Sequence, residues 1–157
     1  EGFQAGLSWL TVLRKRDRFR EGFAGFDPAV VARYGETEVE LLLGDAGIIR
    51  HRGKIESTIN NAARCLELAE QFGSLAGWLW SWEPDQSVRE IDGSIPASTP
   101  TSAALSRDLK TRAWSFIGPT TIYAFMQAVG MVNDHLPDCW AHPAVEAERA
   151  ALLRPIR

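Results

Sequence analysis

The sequence has no run of eighteen apolar residues and no leader pattern, so neither a membrane-spanning helix nor a secreted form finds support. Cysteine is scarce. Cys65 and Cys139 lie far apart and give no disulfide framework, which fits reduced thiols in a cytoplasmic protein. Positive charge is not in excess either: a formal net charge of −3 excludes attraction of nucleic acid by overall charge, while leaving room for a local basic surface. No alternating segment is long enough for a convincing strand and no internal repeat is present, which points to an all-α fold. Nor is there a coiled-coil pattern, so a monomer is the expectation.

What remains is a chain of 157 residues, enough for one domain with a substantial core. Six tryptophans are many for this length and serve either as core or as platforms for flat ligands. Glu1-Gly2-Phe3-Gln4 enters an apolar-periodic segment with neither initiator methionine nor cap, as expected of residues 1–157 forming a single helical domain that lacks its amino-terminal segment. Phe3, Leu7, Leu10 and Leu13 share one helical face, predicting a helix over 2–20. Asp27-Pro28 caps and opens a short helix, and Thr37 with Glu40 reads as a capping box ahead of Leu41-Leu42-Leu43. Ile55, Ile59, Ala62, Leu66 and Ala69 predict a long helix over 52–72, and Ser74 a cap for the next. Residues 83–101 read as an ordered loop. Ser102 is then expected to cap a helix reaching Arg112, Pro119 to restart one that Gly130 ends, and residues 144–153 to form the last.

Three places could carry chemistry. Gly118-Pro119-Thr120-Thr121 opens a helix whose unpaired N–H groups and dipole can hold an anion such as a phosphate, although Gly-Pro-Thr is also an ordinary helix start. The turn Asp45 to Lys54 gathers Arg50, His51, Arg52 and Lys54; it is either a phosphate contact or a solvated basic turn. On a continuous first helix, Glu1 and Trp9 would lie about 12 Å apart along the axis, so a flat ligand lying obliquely could stack on Trp9 while the carboxylate met its edge. The alternative is that Trp9 packs against a neighbour and Glu1 is merely polar. His135 and Cys139, spaced i,i+4, could point at one ion, but two ligands do not complete a zinc site, and His142 is a weak addition. Cys65 faces the apolar side of its helix, as an inert thiol would.

The run from Glu1 to Trp9 resembles the active-site helix of the 3-methyladenine DNA glycosylase I family, and the segments Asp45 to Ile55 and Phe116 to His135 resemble two further signatures of it in the same order. The similarity extends from residue 1 to about 143. It implies a compact fold of the helix-hairpin-helix DNA glycosylase type, with residues 102–130 as the DNA-anchoring motif. It further implies base-excision repair: removal of 3-methyladenine from alkylated double-stranded DNA, with the free base as product. Glu1 and Trp9 would then belong to the base pocket, and Arg50, Arg52, Lys54, Gly118, Thr120 and Thr121 to the DNA contacts. Thr120 occupies the place of a Schiff-base lysine in bifunctional relatives, so no coupled lyase step is expected. His135 and Cys139 would be half of a structural zinc site completed by residues before Glu1, leaving it incomplete in this chain. Asp138 lies 18 residues after Thr120, near the spacing of the wider superfamily's water-activating aspartate, although the resemblance implies that this family lacks it in that role. Asp134 is expected to brace the turn. The competing reading is a non-catalytic helix-hairpin-helix module that binds damaged DNA; a carboxylate beside an indole argues against it.

Overall fold

The computed structural model describes residues 1–85 and 94–155. Among them the chain forms nine α-helices, two 3-10 turns and no strand. The middle of the predicted 83–101 loop, residues 86–93, lies outside the described residues.

The predicted helix over 2–20 is broken into a 3-10 turn, Gly2–Gln4, and two helices, α1 (Trp9–Leu13) and α2 (Arg16–Gly22). Gly6 takes φ 77°, a left-handed value that ends the first turn, and the Ser8 side chain then accepts from Thr11 N at 3.2 Å to cap α1. Only part of the presumed leucine face is buried: Phe3 goes into the core while Leu7 and Leu10 stay exposed.

Asp27 caps α3 (Pro28–Val31) as its sequence requires, accepting from Ala29 N at 2.8 Å. The Thr37–Glu40 capping box does not form. α4 (Glu36–Gly44) starts at Gly35, whose N–H donates to Glu38 Oε2 at 2.7 Å, because Glu40 is drawn to Arg52 instead. α5 (Arg52–Phe72) is the spine; His51 Nδ1 caps it by accepting from Lys54 N at 3.2 Å, and Gly73 at φ 77° ends it. Ser74 caps α6 (Leu75–Trp80).

α7 (Pro100–Thr111) begins earlier than its sequence suggests. Thr99 is the cap, and Ser102 is the buried inner member of a reciprocal pair in which each hydroxyl accepts from the other residue's N–H, at 2.9 and 3.2 Å. α8 (Pro119–Ala128) follows, and Gly130 at φ 78° turns the chain away. α9 (Ala141–Ala151) is fastened to that turn by the buried Arg149, which donates to Gly130 O and pairs with Glu83 at 3.0 Å.

Two apolar clusters result. One joins Phe3, Phe19, Phe23, Val31, Leu42 and Ile48 to the first half of α5; the other joins Leu68 near its end to Trp78, Leu105, Leu109, Met126 and Met131. Each such side chain removed from water stabilises by roughly 1.5–3 kcal/mol, and α5 is the element common to both.

Candidate active site

Two cavities adjoin at the Gly2–Gln4 turn. The larger, about 520 Å³, runs between the two clusters, with Phe3, Lys54, Trp114 and Phe116 in its wall. The smaller, about 250 Å³, is bounded by Glu1, Phe3, Trp9, Arg16 and Phe26. Glu1, Phe3 and Phe26 line both, so Glu1 stands where the cavities meet. Trp9 is 58% exposed and therefore has an open face for a flat ligand. The sequence pattern had put Glu1 and Trp9 on one helix; the structure instead brings them to one cavity across the break at Gly6.

Three contacts fix this turn. The Phe3 ring sits 4.5 Å from that of Phe19 and 5.8 Å from that of Phe23. A Cβ on Gly2 would lie 3.5 Å from Phe116 O, so the turn rests against the entry to the α7–α8 hairpin. Lys54 Nζ donates to Phe3 O at 3.0 Å and to Ala5 O at 2.6 Å.

That last contact corrects the reading of the basic turn. Lys54 is only 7% exposed and points inward, not toward a phosphate, and burial holds its ammonium below its ordinary pKa. Arg52 is occupied as well, by Glu36 at 2.8 Å, Glu56 at 3.4 Å and a close pair with Glu40. These carboxylates, Glu36 first, raise its pKa and cancel its charge at the surface. Arg50 is exposed, with no ion pair among the described residues.

The hairpin joining α7 to α8 has strained backbone at Ala113 (φ 62°) and Phe116 (φ 54°), left-handed values disfavoured for residues with a Cβ. Side chains from α5 hold it. Asn60 donates to Ala113 O at 2.8 Å; Asn61 accepts from Ser115 N at 3.0 Å and donates to Ser115 O at 2.9 Å; Ser57 donates to the same oxygen at 3.0 Å. Gly118 is the N-cap of α8, Thr120 is exposed just beyond it, and Thr121 is half-buried in the wall of the larger cavity. Asn61 and Phe26 escaped the sequence analysis. The adjacent Asn60-Asn61, poor helix formers on the inner side of a long helix, were the one signal for the first.

His135 Nδ1 and Cys139 Sγ lie 3.5 Å apart. Zinc bonds of about 2.0 Å to nitrogen and 2.3 Å to sulfur at a tetrahedral angle give the same separation, about 3.5 Å, so the pair fits as two ligands of one ion. Among the described residues no group of three potential ligands forms. Asp134 Oδ2 accepts from Tyr123 OH at 2.7 Å and Gln127 Nε2 at 2.6 Å and so braces the turn after α8, whereas Asp138 is exposed and lines neither cavity. Burial pushes the Cys65 thiol up to about 11, leaving it protonated and unreactive near neutrality.

An all-α chain with a hairpin between two helices gripped from behind by a third, beside a cavity lined by a glutamate and an exposed tryptophan, has the construction of a helix-hairpin-helix DNA glycosylase. A profile of the methyladenine glycosylase family matches residues 1–142. DNA-3-methyladenine glycosylase 1 of Escherichia coli (strain K12) is 47% identical over 146 residues, covering 91% of this chain and 78% of that protein. The DNA-3-methyladenine glycosylase of Haemophilus influenzae is 42% identical over 142 residues, covering 88% of this chain and 77% of that protein. A crystal structure of a single-residue variant of 3-methyladenine DNA glycosylase I in complex with 3-methyladenine superposes with a TM-score of 0.84 at 34% identity, over 90% of this chain and 78% of that chain. The chain belongs to the 3-methyladenine DNA glycosylase I family, within the helix-hairpin-helix glycosylase superfamily. No helix among the described residues is long and apolar enough to cross a membrane.

Proposed function

We propose that this chain excises 3-methyladenine from alkylated double-stranded DNA by hydrolysis, releasing the free base. The observation that carries the reading is the meeting of Glu1 and Trp9 at one cavity, from either side of a break in the chain. A nucleotide turned out of the duplex would stack on the open Trp9 face, and the Glu1 carboxylate would accept from the adenine edge. Its negative charge favours the cationic methylated base over neutral adenine. The C1′–N9 bond then breaks with its electron pair going to N9, which neutralises the departing base. Water adds at C1′ and gives up a proton to solvent, and the sugar-phosphate chain stays intact because Thr120 offers no amine for a Schiff base.

Phosphates would meet the α8 N-terminus at Gly118 and Thr120 and the exposed Arg50. Lys54, Arg52 and Thr121 are better understood as builders of the site than as phosphate contacts. Both pocket residues come from one chain, so a monomer suffices. His135 and Cys139 would be two of the ligands of a structural zinc ion, which would order the chain near them and take no part at the base.

The test is release of 3-methyladenine from methylated duplex DNA, followed by mass spectrometry. Release by the parent chain and its loss in both Glu1→Ala and Trp9→Ala are expected. Equal release from the parent and both variants would refute the pocket assignment, and duplex binding by a folded parent without any release would favour a binding module.

A further inference from the structure

Lys54 is a buried cation with no carboxylate within ion-pair distance among the described residues. A methionine or leucine would fill this place without desolvating a charge. What the ammonium does instead is specific. In an uninterrupted helix the carbonyls of Phe3 and Ala5 would accept from the amides of Leu7 and Trp9 four residues on. The break at Gly6 takes those donors away, and Lys54 Nζ replaces them both from 49 and 51 residues further along the chain. On the same face of α5, three and seven residues later, Ser57 and Asn61 hold Ser115 of the hairpin. One rigid helix therefore grips the turn that carries Glu1 with one end of a polar stripe and the hairpin with the other.

We propose that Lys54 is a positioning residue of the base pocket, setting the Glu1 carboxylate against Trp9 by holding the carbonyls of Phe3 and Ala5, in register with the hairpin gripped by Asn61. The inference rests on the base-pocket reading given above. It separates Lys54 from the DNA contacts: its loss should weaken recognition of the base and leave the grip on the backbone intact.

The test compares the parent with Lys54→Met and Lys54→Arg by three measurements. Amide hydrogen exchange is followed at Gln4 and Leu7, whose N–H groups bond to Glu1 O at 3.0 Å and Gln4 O at 2.8 Å. Calorimetric titration gives the affinity for free 3-methyladenine, and fluorescence anisotropy the affinity for a duplex with an abasic-site analogue. Lys54→Met is expected to exchange about tenfold faster at both amides and to bind the base about tenfold more weakly, with duplex affinity and melting temperature little changed. Lys54→Arg, which keeps a charged donor, should restore much of both. Unchanged exchange in Lys54→Met would overturn the proposal, as would loss of base and duplex affinity in step with a lowered melting temperature. Should Lys54→Met not fold, Lys54→Arg decides alone: exchange at Gln4 and Leu7 near the parent's supports the proposal, and exchange there as fast as in an unstructured chain overturns it. If the parent does not bind 3-methyladenine, the function reading fails by itself, and the exchange measurement still decides the role of Lys54.

Discussion

The two sides of α5 are built by different means. On the hairpin side, α7 and α8 are regular helices of 12 and 10 residues, each opened by a proline and packed on the other through Leu105, Leu109, Ile122 and Met126. On the base side no helix before α5 exceeds 9 residues, and most are of one or two turns. Helices this short do not hold in water by themselves. They are held by a phenylalanine cluster, in which Phe23 touches Phe3, Phe19 and Phe26 and Phe3 touches Phe19, and by polar ties such as Lys54 to the first turn and Lys15 to Ala46 O at 2.6 Å. The hairpin side is built from regular helices with left-handed residues only in their connection, at Ala113 and Phe116, while the base side is assembled from short pieces whose geometry depends on their packing.

Truncating the centre of each cluster tests this contrast most strongly. Phe23, fully buried against Phe3, Phe19, Phe26 and Tyr34, should cost about 3–5 kcal/mol as Phe23→Ala, and Met126→Ala about 2–5 kcal/mol, both read by urea unfolding. Below its own unfolding transition, Phe23→Ala should lose 3-methyladenine affinity, whereas Met126→Ala should retain it. Equal retention by both would mean that the base side does not depend on its phenylalanines.

Asn61→Ala removes one acceptor and one donor from Ser115 and should cost roughly 1–3 kcal/mol. Its functional effect should mirror that of Lys54→Met: weaker binding to an abasic duplex with base affinity little changed. A smaller effect belongs to Gly6, where an added Cβ meets no atom within 4 Å but the φ of 77° disfavours it, so Gly6→Ala should cost about 1–2 kcal/mol through backbone strain alone.

The smallest effect is one of pH. Asp45 is held below its ordinary carboxylate pKa of 3.8, first by the Gly47 N–H and then by Arg18, and Glu36 below 4.5, first by Arg52. A carboxylate with a depressed folded pKa lends stability that is present above its unfolded value and is lost as pH falls through the folded one. The melting temperature should therefore decline below about pH 4.5, and less steeply in Asp45→Asn than in the parent. Both pairs lie near the surface, so added salt should flatten the profile further; an identical slope in the variant would exclude Asp45.

Much of the fold was legible because it depends on local signals. Asp27, Ser74, Pro119 and the apolar spacing of α5 mark their elements where the structure has them, since a cap or a proline acts within one turn. The caps at Thr37 and Ser102 were misread because several polar residues could serve: Arg52, distant in sequence, claims Glu40, while Thr99 takes the cap of α7 and leaves Ser102 as the inner member of the reciprocal pair. For the site, residue types sufficed to single out Glu1 and Trp9 and to pair His135 with Cys139, but not to place them. Periodicity from Phe3 to Leu13 described a helix that Gly6 and Ser8 interrupt.

By itself the sequence determined the all-α class, the helix-hairpin-helix signature, the family and the main candidates for the pocket, because these reside in residue identity and short-range spacing. The tertiary structure alone decided that Lys54 faces inward, that Arg52 is neutralised by Glu36, Glu40 and Glu56, and that the first turn and the hairpin are gripped by one face of α5. The physical reason is that the direction of a long charged side chain is set by partners tens of residues away, and no local pattern contains them.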